Sequence, residues 1–134
     1  MGSKQRFVRE GDELLADATI VVRGGVLEPD ALRADALRHH QIYGTYGLSV
    51  FALRDVALEE LAQQVPLVRF AILTLMTAGA LRSARLRLEP TGRNPRHFTL
   101  GFEDLAEGVQ RLCECEHRMA VNPYHEGESR GTGR

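Results

Sequence analysis

Ala18-Thr19-Ile20-Val21-Val22 is a β-branched run stopped by Gly24-Gly25, and the segment EPDALRADALRHH follows at once. The first reads as a buried strand ending in a turn, with Arg23 at its exit. In the second, Pro29 suits a first helical position, and Leu32, Ala36 and Leu37 recur at helical spacing. That spacing predicts a helix of about three turns. A short apolar strand followed so closely by an amphipathic helix commits the chain to a sheet with helices packed on it.

The same alternation continues. Tyr43 to Gly47 breaks the helix, and Leu48 to Leu53 alternates well enough for a second strand. Asp55 is placed as an N-cap for VALEELAQQ, where Leu58, Leu61, Ala62 and Val65 share one face; Pro66 ends that helix. Leu67 to Met76 is an apolar run whose periodicity does not separate strand from helix. A strand to Leu73 and a short helix from Gly79 to Ser83 are expected there. RLRLEPTGRNPRHFTLGF, residues 85 to 102, predicts two strands around a turn from Pro90 to Pro95. Glu103 to Glu116 then supplies an amphipathic helix with Leu105, Val109 and Leu112 inward, and Met119 to Val121 an edge strand. The expected architecture is α+β, a single compact domain with a twisted mixed β-sheet and packed helices. Its expected bounds are 18–124, between a flexible N-terminal arm, 1–17, and a flexible tail, 125–134.

With 134 residues, 43% of them hydrophobic, the chain suits one ordinary core. A net charge of -1 removes the simplest argument for nucleic-acid or membrane-surface binding, because both need a basic surplus. Arg82, Arg85, Arg87, Arg93 and Arg96 still make a local basic cluster, read first as a solvated strand face. Cys113 and Cys115 are one residue apart, a spacing that strains a mutual disulfide. A reducing, cytoplasmic setting is expected, and no apolar stretch of signal-peptide or membrane-spanning length is present.

Against this background Arg23, the loop Tyr43-Gly44-Thr45-Tyr46-Gly47, Ser49 and a carboxylate on the following helix, Glu59 or Glu60, occur in a telling order. VVRGG at 21 to 25 and GLSVFALRDVALEELAQ at 47 to 63 resemble the ADP-ribosyltransferase-like toxins, including the RES-domain and Tse2-like groups. The resemblance implies a split sheet gripping NAD and cleavage of the nicotinamide–ribose bond. Arg23, Ser49 and Glu60 would then be catalytic, with Arg23, Tyr43, Tyr46 and His40 holding the cofactor. In physical terms, Arg23 would hold a pyrophosphate or ribose bidentately, and a tyrosine would stack on nicotinamide. Gly44 and Gly47 would let backbone approach the ligand. The carboxylate would stabilise oxocarbenium-like charge, with Glu60 and the Glu114-x-Glu116 pair as competing candidates. The tryptophan-containing glycine segment of RES domains and the serine–threonine–serine signature of the arginine–serine–glutamate class are both absent.

A second constellation, Cys113, Cys115 and His117 with His125 and Glu126 nearby, offers zinc-type donors, but C-x-C-x-H is not a standard finger spacing. No metal is expected. His39-His40 closes the first predicted helix, where imidazolium suits the dipole, and His40 is the alternative pocket residue. His97 points away from Phe98 in the hairpin, toward solvent or toward the pocket.

A rival from another class is a binding or interaction module, the partner protein of a small bacterial two-gene system. It calls for an exposed apolar or basic patch, sought around Leu67 to Met76, and for a homodimer or a heterologous partner. A toxin would itself need an antitoxin surface.

Overall fold

A computed structural model describes residues 15–126. Six strands, β1 (Ile20–Gly24), β2 (Tyr46–Ala52), β3 (Ile72–Thr77), β4 (Arg87–Pro90), β5 (His97–Phe102) and β6 (Arg118–Val121), form one sheet in the order β4-β5-β2-β1-β3-β6. Four helices accompany them: α1 (Pro29–Tyr43), α2 (Leu58–Ala62), α3 (Ala78–Ser83) and α4 (Leu105–Glu114). The fold is α+β, as the alternating segments require. Every pairing is antiparallel, where the sequence had suggested a mixed sheet. No helix among the described residues is long and apolar enough to cross a membrane.

Strand alternation divides the interior into two cores. Val21, Leu48, Val50, Met76, Phe98 and Leu100 face one side, where α1 brings Leu32 and Ala36 and α4 brings Val109 and Leu112. Val22, Phe51, Leu73 and Leu75 face the other, covered by Leu61 and Ala62 of α2 and by Leu67. Both faces of the central strands are therefore covered, which is why β1 and β3 read as near-continuous apolar runs.

Local chemistry sets the boundaries. Glu28 caps α1, its carboxylate accepting from the Ala31 amide at 2.8 Å and the Asp30 amide at 3.1 Å. Gly44 ends the helix at φ 84°, a left-handed conformation that glycine adopts without Cβ strain. The helix runs on past His40 to Tyr43, longer than its apolar spacing indicated. The cap of α2 differs from expectation: Asp55 sits at φ 56°, outside the cap, and Ala57 occupies the position. The ambiguous run resolves into a 3-10 turn, Leu67–Arg69, followed by β3, so the strand begins where the sequence had it ending. The expected hairpin and edge strand are present as β4–β5 and β6.

The expected arm and tail fall largely outside the described residues. Within them, Leu15 is buried in the first core, and Asp17 pairs with Arg82 at 2.9 Å.

Candidate functional site at the split between β1 and β2

The β1–β2 ladder is short. It holds only Val21↔Ala52 and Val22↔Phe51, although β2 continues to Tyr46 and stays paired with β5 over its whole length. Backbone groups alternate sides along an antiparallel strand. The Leu53 amide donates to Ile20 on the β1 side, and the Ala52 amide to Arg96 on the β5 side. Gly47, Ser49 and Phe51 consequently turn their peptide groups toward β1, and beyond Phe51 the strand that would meet them has moved away.

Arg23 fills that opening. Its guanidinium donates from Nη1 to the carbonyl oxygen of Ser49 at 3.0 Å and from Nη2 to Oδ2 of Asp35 on α1 at 2.7 Å. The Arg23 side chain is 13% exposed and that of Asp35 is 40% exposed. Burial lowers the arginine's pKa from its ordinary value, while the charge and hydrogen bond of Asp35 raise it. The other Asp35 oxygen accepts from Arg38 at 2.9 Å.

Two grooves meet at this pair and share Arg23, Asp35 and Ser49. The larger, about 460 Å³, runs under the β1–α1 loop with Phe51, Leu67 and Phe70 as apolar wall. The smaller, about 260 Å³, lies along the C-terminal half of α1 and is lined by Arg38, His39 and Tyr43. The larger alone falls within the usual range of small-molecule sites, roughly 300–1,000 Å³.

Of the residues singled out in the sequence, the structure brings together Arg23, Tyr43 and Ser49. Glu60, Tyr46 and His40 lie elsewhere. Glu60 is exposed on α2, lines neither groove, and accepts the Ala57 amide at 3.4 Å. Tyr46 stacks on Phe102 with ring centroids 6.2 Å apart, and His40 packs on Tyr46 at 4.5 Å, so this pair builds the wall beside α1 rather than the grooves. Glu116 lines pockets beside Cys115 and His117, away from Arg23. Of the glycines, Gly44 terminates α1, while Gly47 lines the smaller groove, where an added Cβ would come within 2.8 Å of the His39 ring.

The cysteines and His117 make separate backbone contacts. Cys113 Sγ faces the Leu27 carbonyl oxygen at 4.0 Å, and His117 Nδ1 contacts the Cys115 carbonyl oxygen at 2.8 Å. Among the described residues no group of three or more His, Cys, Asp and Glu side chains is placed to hold a metal ion.

Two participants were missed or left open. Asp35 carries no local signal, since it is one of several charges on a helix face. His97 turns out to lie on the same sheet face as Ser49, where Ser49 Oγ and His97 Nε2 are 3.1 Å apart. Its other nitrogen faces the Thr91 carbonyl oxygen at 2.9 Å and Thr91 Oγ1 at 3.1 Å, and Thr91 Oγ1 is 2.7 Å from Thr99 Oγ1.

The fold and grooves define an α+β protein with a single antiparallel sheet, opened beside its centre around a charged pair. Comparison of the chain with protein-family models, with curated proteins and with solved structures finds no match.

Proposed function

We propose that the opening between β1 and β2 binds a phosphate-bearing nucleotide of the NAD class, with Arg23 as the cation that holds its phosphates. The observation that carries this reading is the placement of Arg23 where both grooves meet, its guanidinium oriented by Asp35 and Ser49. A guanidinium has five N–H donors in a fixed fork, so donors beyond those two bonds remain to serve an anion. Tyr43 offers a ring in the smaller groove and Phe70 one in the larger, each suited to stacking on a base or nicotinamide.

Binding is supported further than transfer. Cleavage of the nicotinamide–ribose bond calls for a carboxylate beside the developing positive charge. Asp35 is the carboxylate shared by both grooves, and its oxygens are engaged by Arg23 and Arg38. An ADP-ribosyltransferase or NAD-cleaving activity is an extension of the binding proposal, and release of free nicotinamide is its direct assay.

The test is calorimetric titration of the full chain with NAD, repeated with Arg23→Ala after a check that the variant folds. Saturable binding weakened about 10- to 100-fold in the variant, the range of one or two charge-assisted bonds, is the expected result. Absence of binding by folded protein, or equal binding by the variant, overturns the proposal.

For the rival interaction module the stretch Leu67 to Met76 offers little surface: Leu67, Val68, Leu73, Leu75 and Met76 are buried, and Phe70 is its exposed large hydrophobic residue at 39%. Its support moves to the β6 edge, where Met119 is 59% and Val121 is 73% exposed. A second copy pairing antiparallel along that edge is the partner this reading now proposes, and a monomeric sedimentation profile at high concentration would dismiss it.

A further inference from the structure

We propose that Ser49 and His97 form a nucleophile–base pair that hydrolyses carboxylic esters in the larger groove. Ser49 Oγ lies 3.1 Å from His97 Nε2, within the reach a general base needs. The opposite ring nitrogen faces a carbonyl oxygen, that of Thr91, at 2.9 Å. A carbonyl only accepts, so Nδ1 carries the proton, and in the neutral ring Nε2 is left as the acceptor for the serine hydroxyl. Thr91 is 3% exposed and bonded to the equally buried Thr99. The group that orients the imidazole is thus itself fixed, which is the logic of a third member in a nucleophilic site. Phe51 packs edge-on against the His97 ring with centroids 5.2 Å apart and holds its plane.

The surroundings of Ser49 suit an acyl group. Ser49 is exposed and lines the larger groove, whose wall of Phe51, Leu67 and Phe70 would take an apolar acyl chain. Its own amide N–H faces the opening left by β1, beside the Arg23 guanidinium that reaches the Ser49 carbonyl oxygen at 3.0 Å. An amide donor and a cation on one side of a nucleophile are the elements that stabilise a tetrahedral oxyanion.

The chemistry balances with water as the co-reactant. Ser49 Oγ attacks the ester carbonyl carbon as its proton passes to His97 Nε2. Collapse of the tetrahedral adduct breaks the bond to the leaving oxygen, which takes that proton and departs as the alcohol. Water then attacks the acyl-serine with His97 as base, releasing the carboxylic acid and restoring the Ser49 hydroxyl. None of these steps depends on nucleotide binding, so this proposal and the preceding one fail separately.

The experiment is labelling of the full chain with a fluorophosphonate probe, read by intact mass and peptide mapping, alongside hydrolysis of p-nitrophenyl acetate. One adduct on Ser49, absent from Ser49→Ala, is expected. His97→Asn places an amide nitrogen where Nδ1 donates and lacks the Nε2 base; labelling and turnover should fall by about 10²-fold or more while the variant keeps its fold. Failure of folded wild-type protein to label at Ser49 overturns the proposal, as does labelling of His97→Asn at the wild-type rate.

Discussion

The guanidinium of Arg23 donates to the carbonyl oxygen of Ser49 at 3.0 Å, in the stretch where the β1–β2 ladder has already stopped. A side chain here does the work of a missing strand partner. Arg23→Met keeps much of the aliphatic bulk and removes the donor, leaving the Ser49 carbonyl and the Asp35 carboxylate without it. A loss of about 0.5–1.5 kcal/mol is predicted, the net worth of a hydrogen bond whose acceptor water can reach, and urea unfolding measures it.

Two glycines with the same nominal clash should respond differently. A Cβ on Gly24 or on Gly108 would lie 2.3 Å from a ring carbon, that of Phe70 or Phe102 respectively. Phe102 is 4% exposed inside the first core, whereas Phe70 is 39% exposed and has room to swing. Gly108→Ala should therefore destabilise by about 1–3 kcal/mol although it adds a better helix former to α4. Gly24→Ala should cost less in stability and act mainly on the larger groove. Thermal unfolding of the two variants side by side gives the comparison.

Both thiols are pushed above their ordinary pKa, first by burial; Glu28 adds most to the effect at Cys113, and Cys113 does so at Cys115. The unfolded chain therefore gives up these protons at lower pH than the folded one. Stability from this source is intact below the usual thiol range and is lost as pH rises through that range toward the raised folded values. Iodoacetamide should modify both cysteines slowly at neutral pH and faster as pH climbs, by about tenfold per unit while the thiol form dominates. The Cys113→Ser/Cys115→Ser variant should show a flatter alkaline limb in its stability profile.

Much of the scaffold was legible because its signals are local. Pro29 and the Leu32/Ala36 spacing mark α1, the β-branched run marks β1, and the turn between Pro90 and Pro95 marks the hairpin. The Asp55 cap failed because a favourable residue type does not fix backbone conformation, and φ 56° takes that residue out of the capping position. At the site, Arg23 and Ser49 stood out by their order in the chain, and the grooves do bring them together. Glu60 fits the same order in the chain, but α2 packs on the second core and spends that carboxylate on its own first turn. The Ser49–His97 contact was not readable, because it depends on the register Phe51↔His97 between strands far apart in sequence. The split depends likewise on where the β1–β2 ladder stops, which no single segment encodes.

Amide chemical shifts of the isotopically labelled full chain, followed through a titration with NAD, test the central claim most directly. Saturating shifts are predicted at Arg23, Gly24, Gly47 and Ser49 and along the α1 face carrying Asp35 and Tyr43, with the Cys115–His117 end unmoved. Shifts confined to another surface, or none at all, would contradict the assignment of the β1–β2 opening as the nucleotide site.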